Sequence, residues 1–139
     1  MLLPLFYEGR KLEKKSKYLL IPHYTNYNQF ENENKISTFC DDWKEFVDRI
    51  VNSELVISSS LHGIIIAEAY GIPAIMLKNN KISNITKYKD WYGSTERENF
   101  PIAESVEEAL RITPSKLDPE VLKKMQNNLL VTFPVDLWN

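Results

Sequence analysis

"SSSLHGIIIAEAYGIPAI" runs from Ser58 to Ile75, and its reading decides the fold. Three serines, a histidine and a glycine stand directly before a strongly apolar run. Upstream, "ELVISS" (Glu54 to Ser59) is short and apolar, the pattern of a buried strand. Downstream, "LHGIIIAEAY" (Leu61 to Tyr70) reads as a helix ended by Gly71, a common helix terminator. "IPAIML" (Ile72 to Leu77) reads as the next strand, its proline tolerated near the first position. The stretch is a strand–helix–strand unit with a polar cluster at its strand-to-helix junction.

Working outward, "KYLLIPHY" (Lys17 to Tyr24) is a short apolar run ended by Pro22, and reads as another buried strand. "DDWKEFVDRIVNS" (Asp41 to Ser53) carries Trp43, Phe46, Val47, Ile50 and Val51 on one stripe of a 3.6-residue period. Asp42 and Glu45 have capping-box spacing at its start. The order strand–helix–strand–helix–strand predicts a parallel sheet with helices on both faces. Its neighbouring strands are expected at Leu19 to Pro22, Leu55 to Ser58 and Ala74 to Leu77. "TNYNQFENENK" (Thr25 to Lys35) reads as a loop. So does the polar stretch after Lys78 with "KYKDWYGSTEREN" (Lys87 to Asn99) inside it, long enough to be functional. "SVEEALRI" (Ser105 to Ile112) is a short helix with a Ser105–Glu108 capping box. Asp118 and Pro119 open a last helix, and "FPVDLWN" closes the chain.

With 139 residues the chain suits one domain. Residues 1–16 read as a lead-in and 17–139 as the domain. Hydrophobic residues make up 43% and charged residues 26%, with a formal net charge of −2. That balance supports a packed core and argues against a nucleic-acid partner. "GRKLEKKSK" (Gly9 to Lys17) is basic but short, a solvated loop. A single cysteine, Cys40, excludes an internal disulfide and points to a reducing compartment, hence the cytoplasm. No apolar run approaches the ~20 residues that span a bilayer. The opening "MLLPLFYEGR" lacks the basic region of a signal peptide.

A parallel sheet places its chemistry at the carboxyl ends of its strands. Ser58, Ser59 and Ser60 stand at such an end, where the first turn of the next helix exposes unpaired N–H groups and partial positive charge. That is an anion site, to which hydroxyls add donors and Gly63 allows close approach. His62 can donate to an oxyanion or exchange a proton. A plainer reading makes one serine the N-cap and His62 a core residue bonded to a carbonyl. Glu68, a carboxylate in an apolar helix, lies about 120° round the helix from His62, so the two do not form one pair. It is either a salt-bridged residue or a ligand contact. His23, just past a strand end, is expected on the same sheet edge, and Lys87, Lys89 and Asp90 lie on a loop that either faces a ligand or is solvated.

"LVISSSLHGIIIAEAYGIPAIML" resembles the central motif of the polysaccharide pyruvyl transferases, a serine-ended strand running into a Leu-His-Gly helix start and an Ala-x-x-x-Gly-x-Pro segment. "YLLIPHY", "KYKDWYGST" and "FPVDLW" resemble the exopolysaccharide branch. The resemblance implies a Rossmann-like domain, the C-terminal half of a two-domain enzyme similar to the GT-B glycosyltransferases. The implied reaction moves the enolpyruvyl unit of phosphoenolpyruvate onto two sugar hydroxyls and releases phosphate, in surface or exopolysaccharide synthesis. Phosphoenolpyruvate is the donor substrate, and no further cofactor or metal is implied. His62 becomes the catalytic residue, and Ser58, Ser59, Ser60, Gly63, Glu68, His23, Lys87 and Lys89 the donor-binding set. Many members of the wider family hold the donor with an arginine two positions before the motif histidine. Ser60 stands there, so Lys87, Lys89 or a residue of an absent N-terminal half must replace it. The implied partners are a sugar or oligosaccharide acceptor and that N-terminal half or a second copy, and the chain alone is expected to be inactive. Two rivals remain open. "AEAYGIPAI" is similar to the donor segment of sugar-nucleotide glycosyltransferases, with Glu68 on the ribose. Alternatively the chain is a non-catalytic ligand-binding or contact domain, whose apolar face would hold the last helix and Trp138.

Overall fold

A computed structural model describes residues 1–13, 15–78 and 85–134. Four strands and five α-helices follow one another as β1 (Leu19–Ile21), α1 (Trp43–Val51), β2 (Val56–Ser58), α2 (Leu61–Ala69), β3 (Ala74–Leu77), α3 (Thr86–Ser94), β4 (Ile102–Ala103), α4 (Val106–Ala109) and α5 (Pro119–Thr132). The strands form one parallel sheet in the order β1-β2-β3-β4. Every residue of β1, β2 and β3 is buried, which is why these strands read as unbroken apolar runs. The fold is a Rossmann-like α/β fold.

Alternation along each strand sorts the core into two layers. Leu19, Ile21, Val56, Ala74 and Met76 meet Phe46 and Ile50 of α1, Ile64 and Ala67 of α2, and Tyr88, Trp91 and Tyr92 of α3. Leu20, Ile57, Ile75, Leu77 and Ala103 pack on the opposite face with Ala109 of α4 and, partly buried, Phe30. Helices cover both faces, but unequally. Each step from β1 to β4 moves in the same direction, so right-handed crossovers land α1, α2 and α3 on one side.

At β1 the chain departs from this stepping. The Leu20 N–H donates to Asn34 O at 2.8 Å and Leu20 O accepts the Ile36 N–H at 3.0 Å, so Lys35 bridges Leu20 in parallel. Leu19 and Ile21 serve the β2 side, with Leu19 N–H donating to Leu55 O and Ile21 O accepting from Ser59 N–H. The bridged segment therefore covers the other edge of β1. The way to it runs through a 3-10 turn, Tyr24–Gln29, and Phe30 on the second face. β1 thus exits towards one face and β2, through α2, towards the other. The crevice between two such strand ends is a switch point, where open α/β sheets bind ligands.

Three elements differ from the sequence reading. α3 is a helix where Lys87 to Asn99 read as a loop. Its signal was present in Tyr88, Trp91 and Tyr92 at i, i+3 and i+4, all buried, but Lys87, Lys89 and Asp90 between them hid it. β4 and the 3-10 turn were also unforeseen. Trp43, expected on the buried stripe of α1, is 48% exposed because it opens the helix beyond the edge of the core. α5 has no buried residue and leaves Leu129, Leu130, Val131 and Phe133 exposed. The end of "FPVDLWN", with Trp138, lies outside the described residues. Among the described residues no helix is long and apolar enough to cross a membrane.

Candidate functional site

The serines divide by what their hydroxyls hold. Ser58 Oγ lies 2.9 Å from Ile21 O and 2.8 Å from Ser60 O, with one proton to give, and accepts the Ser60 N–H at 3.0 Å. Ser59 Oγ accepts the His23 backbone N–H at 2.8 Å, and its carbonyl accepts the hydroxyl of fully buried Tyr88 at 2.9 Å. Burial pushes that phenol up to about 12, so it remains a donor. Ser58 and Ser59 thus fasten β1, β2 and α3 together from within the core. Ser60 is the N-cap of α2, but its side chain makes no capping bond. Ser58 takes its backbone N–H, whereas those of Leu61, His62 and Gly63 have no partner inside the helix.

A cavity of about 490 Å³ opens at this point. From the strand ends and helix starts it is lined by His23, Ser60, Leu61, His62, Ile66 and Lys87. Tyr24, Thr38, Phe39, Cys40, Trp43 and Phe46 complete the lining. His62 is the second residue of α2 and is exposed. Lys87 is the second residue of α3, exposed, with its Nζ 5.2 Å from the Tyr88 ring centre. Two histidines, a cation and a helix start thus converge on one cavity at the switch point.

His23 has a defined tautomer. Its Nδ1 accepts the Thr25 N–H at 3.4 Å and lies 2.9 Å from the Thr25 hydroxyl. An accepting Nδ1 puts the proton of the neutral ring on Nε2. Burial, and then the charge of Lys87, lower its pKa, so the neutral ring is favoured. Burial raises the pKa of Cys40, keeping it a thiol; that thiol donates to Asp42 O at 3.3 Å. Among the described residues no group of three or more His, Cys, Asp or Glu is placed to hold a metal ion.

Five residues of the expected donor set do not line the cavity: Ser58 and Ser59, whose hydroxyls hold backbone, and Gly63, Glu68 and Lys89. Glu68, 2% exposed, is held by Arg97 at 2.6 and 2.8 Å and by the Trp91 indole at 2.6 Å. It stands near the C-terminal end of α2, by Pro73 and Pro119, and does not line the cavity of His62. The buried carboxylate is taken up by Arg97 and by Trp91 of α3. Gly63 faces the sheet. A Cβ there would meet Ser58 Oγ at 2.6 Å and Ile21 Cγ2 at 3.0 Å, so the glycine lets α2 approach the strands. Lys89 is exposed but does not line the cavity, since two helical residues separate it from Lys87 by about 200°; Asp90 is likewise outside it.

Sequence reasoning did not reach Arg97, nor the lining side chains Tyr24, Thr38, Phe39 and Cys40. "ISTFC" (Ile36 to Cys40) has neither helical nor strand period. For Arg97 the available signal was Glu68 itself, a buried carboxylate that needs a cation.

Fold and cavity define a class: a Rossmann-like α/β domain whose crevice gathers two histidines, a lysine and a helix start at the switch point. More particularly, residues 2–81, over half of the chain, match the family described as polysaccharide pyruvyl transferase, and the chain belongs to that family. The matched stretch contains β1 to β3, His23 and Ser58 to Glu68, and ends before Lys87. No curated protein and no solved structure matches the chain.

Proposed function

We propose that the cavity binds phosphoenolpyruvate and that the chain takes part in transferring its pyruvyl unit to two sugar hydroxyls, in the cytoplasm, during surface or exopolysaccharide synthesis. The observation that carries this is the convergence of His23, His62 and Lys87 on one cavity. The donor brings a carboxylate and a phosphate, and the start of α2 suits either. Lys87 supplies the cation that the family's arginine provides elsewhere. Neutral His23 offers an Nε2–H to an oxyanion.

The first hydroxyl adds its oxygen to the enol carbon and loses its proton, while the methylene carbon gains one. The second hydroxyl then bonds to the same carbon as the carbon–phosphate oxygen bond breaks, and its proton leaves with phosphate. His62, exposed in the cavity, is the acid for the methylene or the donor to the departing phosphate. A facing unit supplies the second wall of the cleft and holds the acceptor against the donor. The sugar-nucleotide reading loses its ribose ligand, since both oxygens of Glu68 are taken by Arg97 and Trp91.

Calorimetric titration tests the proposal. Phosphoenolpyruvate should bind saturably, Lys87→Ala and His62→Ala should each weaken it at least tenfold, and UDP-glucose should not compete. Tighter binding of UDP-glucose, or unchanged affinity in both variants, overturns the assignment.

A further inference from the structure

α3 buries two tyrosines completely, and their hydroxyls are used differently. Among the described residues the Tyr92 hydroxyl has no hydrogen-bond partner. The Tyr88 hydroxyl donates to Ser59 O at 2.9 Å. Both rings fill the core, but only Tyr88 ties α3 to another element through its hydroxyl. Ser59 is fully buried, directly follows β2, and is held from a second side: its Oγ accepts the His23 N–H at 2.8 Å. It is thus bonded at once to the chain just beyond β1 and to the first turn of α3. The Tyr88 ring also lies beneath the Lys87 ammonium, whose Nζ is 5.2 Å from the ring centre, within the range of a cation–ring attraction. A continuous path of contacts runs from His23 through Ser59 and Tyr88 to Lys87, and both ends of it line the cavity.

We propose that Tyr88 is a positioning residue of the donor site: its hydroxyl, acting through Ser59, sets the separation of Lys87 from His23 at which the two groups hold one donor anion. What the spacing serves rests on the donor reading above, whereas the spacing itself can be measured with no donor bound. Lysine is a point charge on a flexible stem. The fold can fix only the origin of that stem and the surface on which the ammonium rests, and Tyr88 fixes both. Trp91 on Glu68 holds the later turns of α3; Tyr88 holds the turn that carries Lys87. His23 reports the spacing. After burial, the Lys87 charge is what lowers its pKa, and that effect weakens with distance. The other titratable groups that share the cavity with His23 are His62, Cys40 and, ring to ring at 4.4 Å, Tyr24; among the described residues no carboxylate lines it. A retreat of Lys87 therefore raises the His23 midpoint.

NMR titration of the His23 Cε1 proton in a double-mutant cycle tests this. Lys87→Ala should raise the midpoint. Tyr88→Phe keeps the ring and removes only the hydroxyl; it should give about half or more of that rise, and none in the Lys87→Ala background. Ser59→Ala releases His23 from the other side and should behave in the same way, which keeps the test open if Tyr88→Phe does not fold. Tyr92→Phe removes a hydroxyl that holds nothing and should leave the midpoint unchanged. In calorimetry Tyr88→Phe should weaken phosphoenolpyruvate binding about fivefold or more, and by less than about twofold once Lys87 is alanine. No rise in Tyr88→Phe or in Ser59→Ala overturns the proposal. So does an equal rise with and without Lys87, the mark of looser burial at His23, or an equal rise in Tyr92→Phe. A raised midpoint with unchanged affinity overturns the positioning role. If the wild type does not bind phosphoenolpyruvate, the donor reading fails, and the cycle of midpoints still decides whether Tyr88 sets the spacing.

Discussion

His23 sits where burial and a neighbouring ammonium act in the same direction. Its titration, followed by the ring Cε1 proton in NMR, should have a midpoint below the ordinary value of about 6.5, and Lys87→Ala should restore part of the difference, burial being the larger cause. As pH falls, the unfolded chain takes up this proton before the folded one. The His23 contribution to stability is therefore fully present above about pH 6.5 and is lost as pH falls through the lower folded value. Between pH 7.5 and 5.5 the urea midpoint should fall more in wild type than in His23→Gln. His62→Ala should reduce turnover of the complete enzyme by about a hundredfold or more, the usual scale for a general acid. Its melting temperature should hardly change, because the side chain is exposed; unfolding with normal activity in the surviving fraction would mark His62 as structural. His62 and Ser60 were legible because a polar cluster at a strand-to-helix junction has a defined place in an α/β fold. Ser58 and Ser59 look the same in sequence, and only the register of β1 against β2 shows that their hydroxyls hold backbone instead.

Two elements are fixed by single residues. α3 carries Lys87 to the cavity, and its far end is held by Arg97 across Glu68 and Trp91. The Arg97 and Glu68 side chains are 9% and 1% exposed. Removing one partner of such a pair strands a buried charge, so Arg97→Ala should cost about 3–5 kcal/mol in urea unfolding. A loss under about 1 kcal/mol would show that α3 is held by its aromatic side chains alone. α2 depends on Gly63. Gly63→Ala forces a methyl against Ser58 Oγ and Ile21, and overpacking of this kind costs about 1–3 kcal/mol; an unchanged denaturation midpoint would mean that α2 shifts freely. α1 and α2 could be read from their apolar patterns and stops. α3 could not, because its buried face is made of tyrosines and a tryptophan among lysines, residues that read as polar surface until the sheet beneath them is known.

The isolated chain should release no phosphate from phosphoenolpyruvate with any sugar acceptor, as followed by 31P NMR, since one wall of the cleft does not fix two reactants together. Robust turnover would show the site to be complete. The parallel sheet was legible as a whole because strands buried on both faces leave apolar runs between helical patterns. The switch point was not, because it hangs on Lys35 bridging Leu20, a contact made by a polar, asparagine-rich segment. The strand order β1-β2-β3-β4 has a further consequence for synthesis. After β1, each strand docks on the strand made before it. Only β1 waits for a partner strand that has yet to be translated, and no gap is held open in the sheet. A nascent chain that has emerged as far as Leu77 holds every residue of the first three strands and of the His62 helix, while Lys87, the Arg97 clasp and β4 come later.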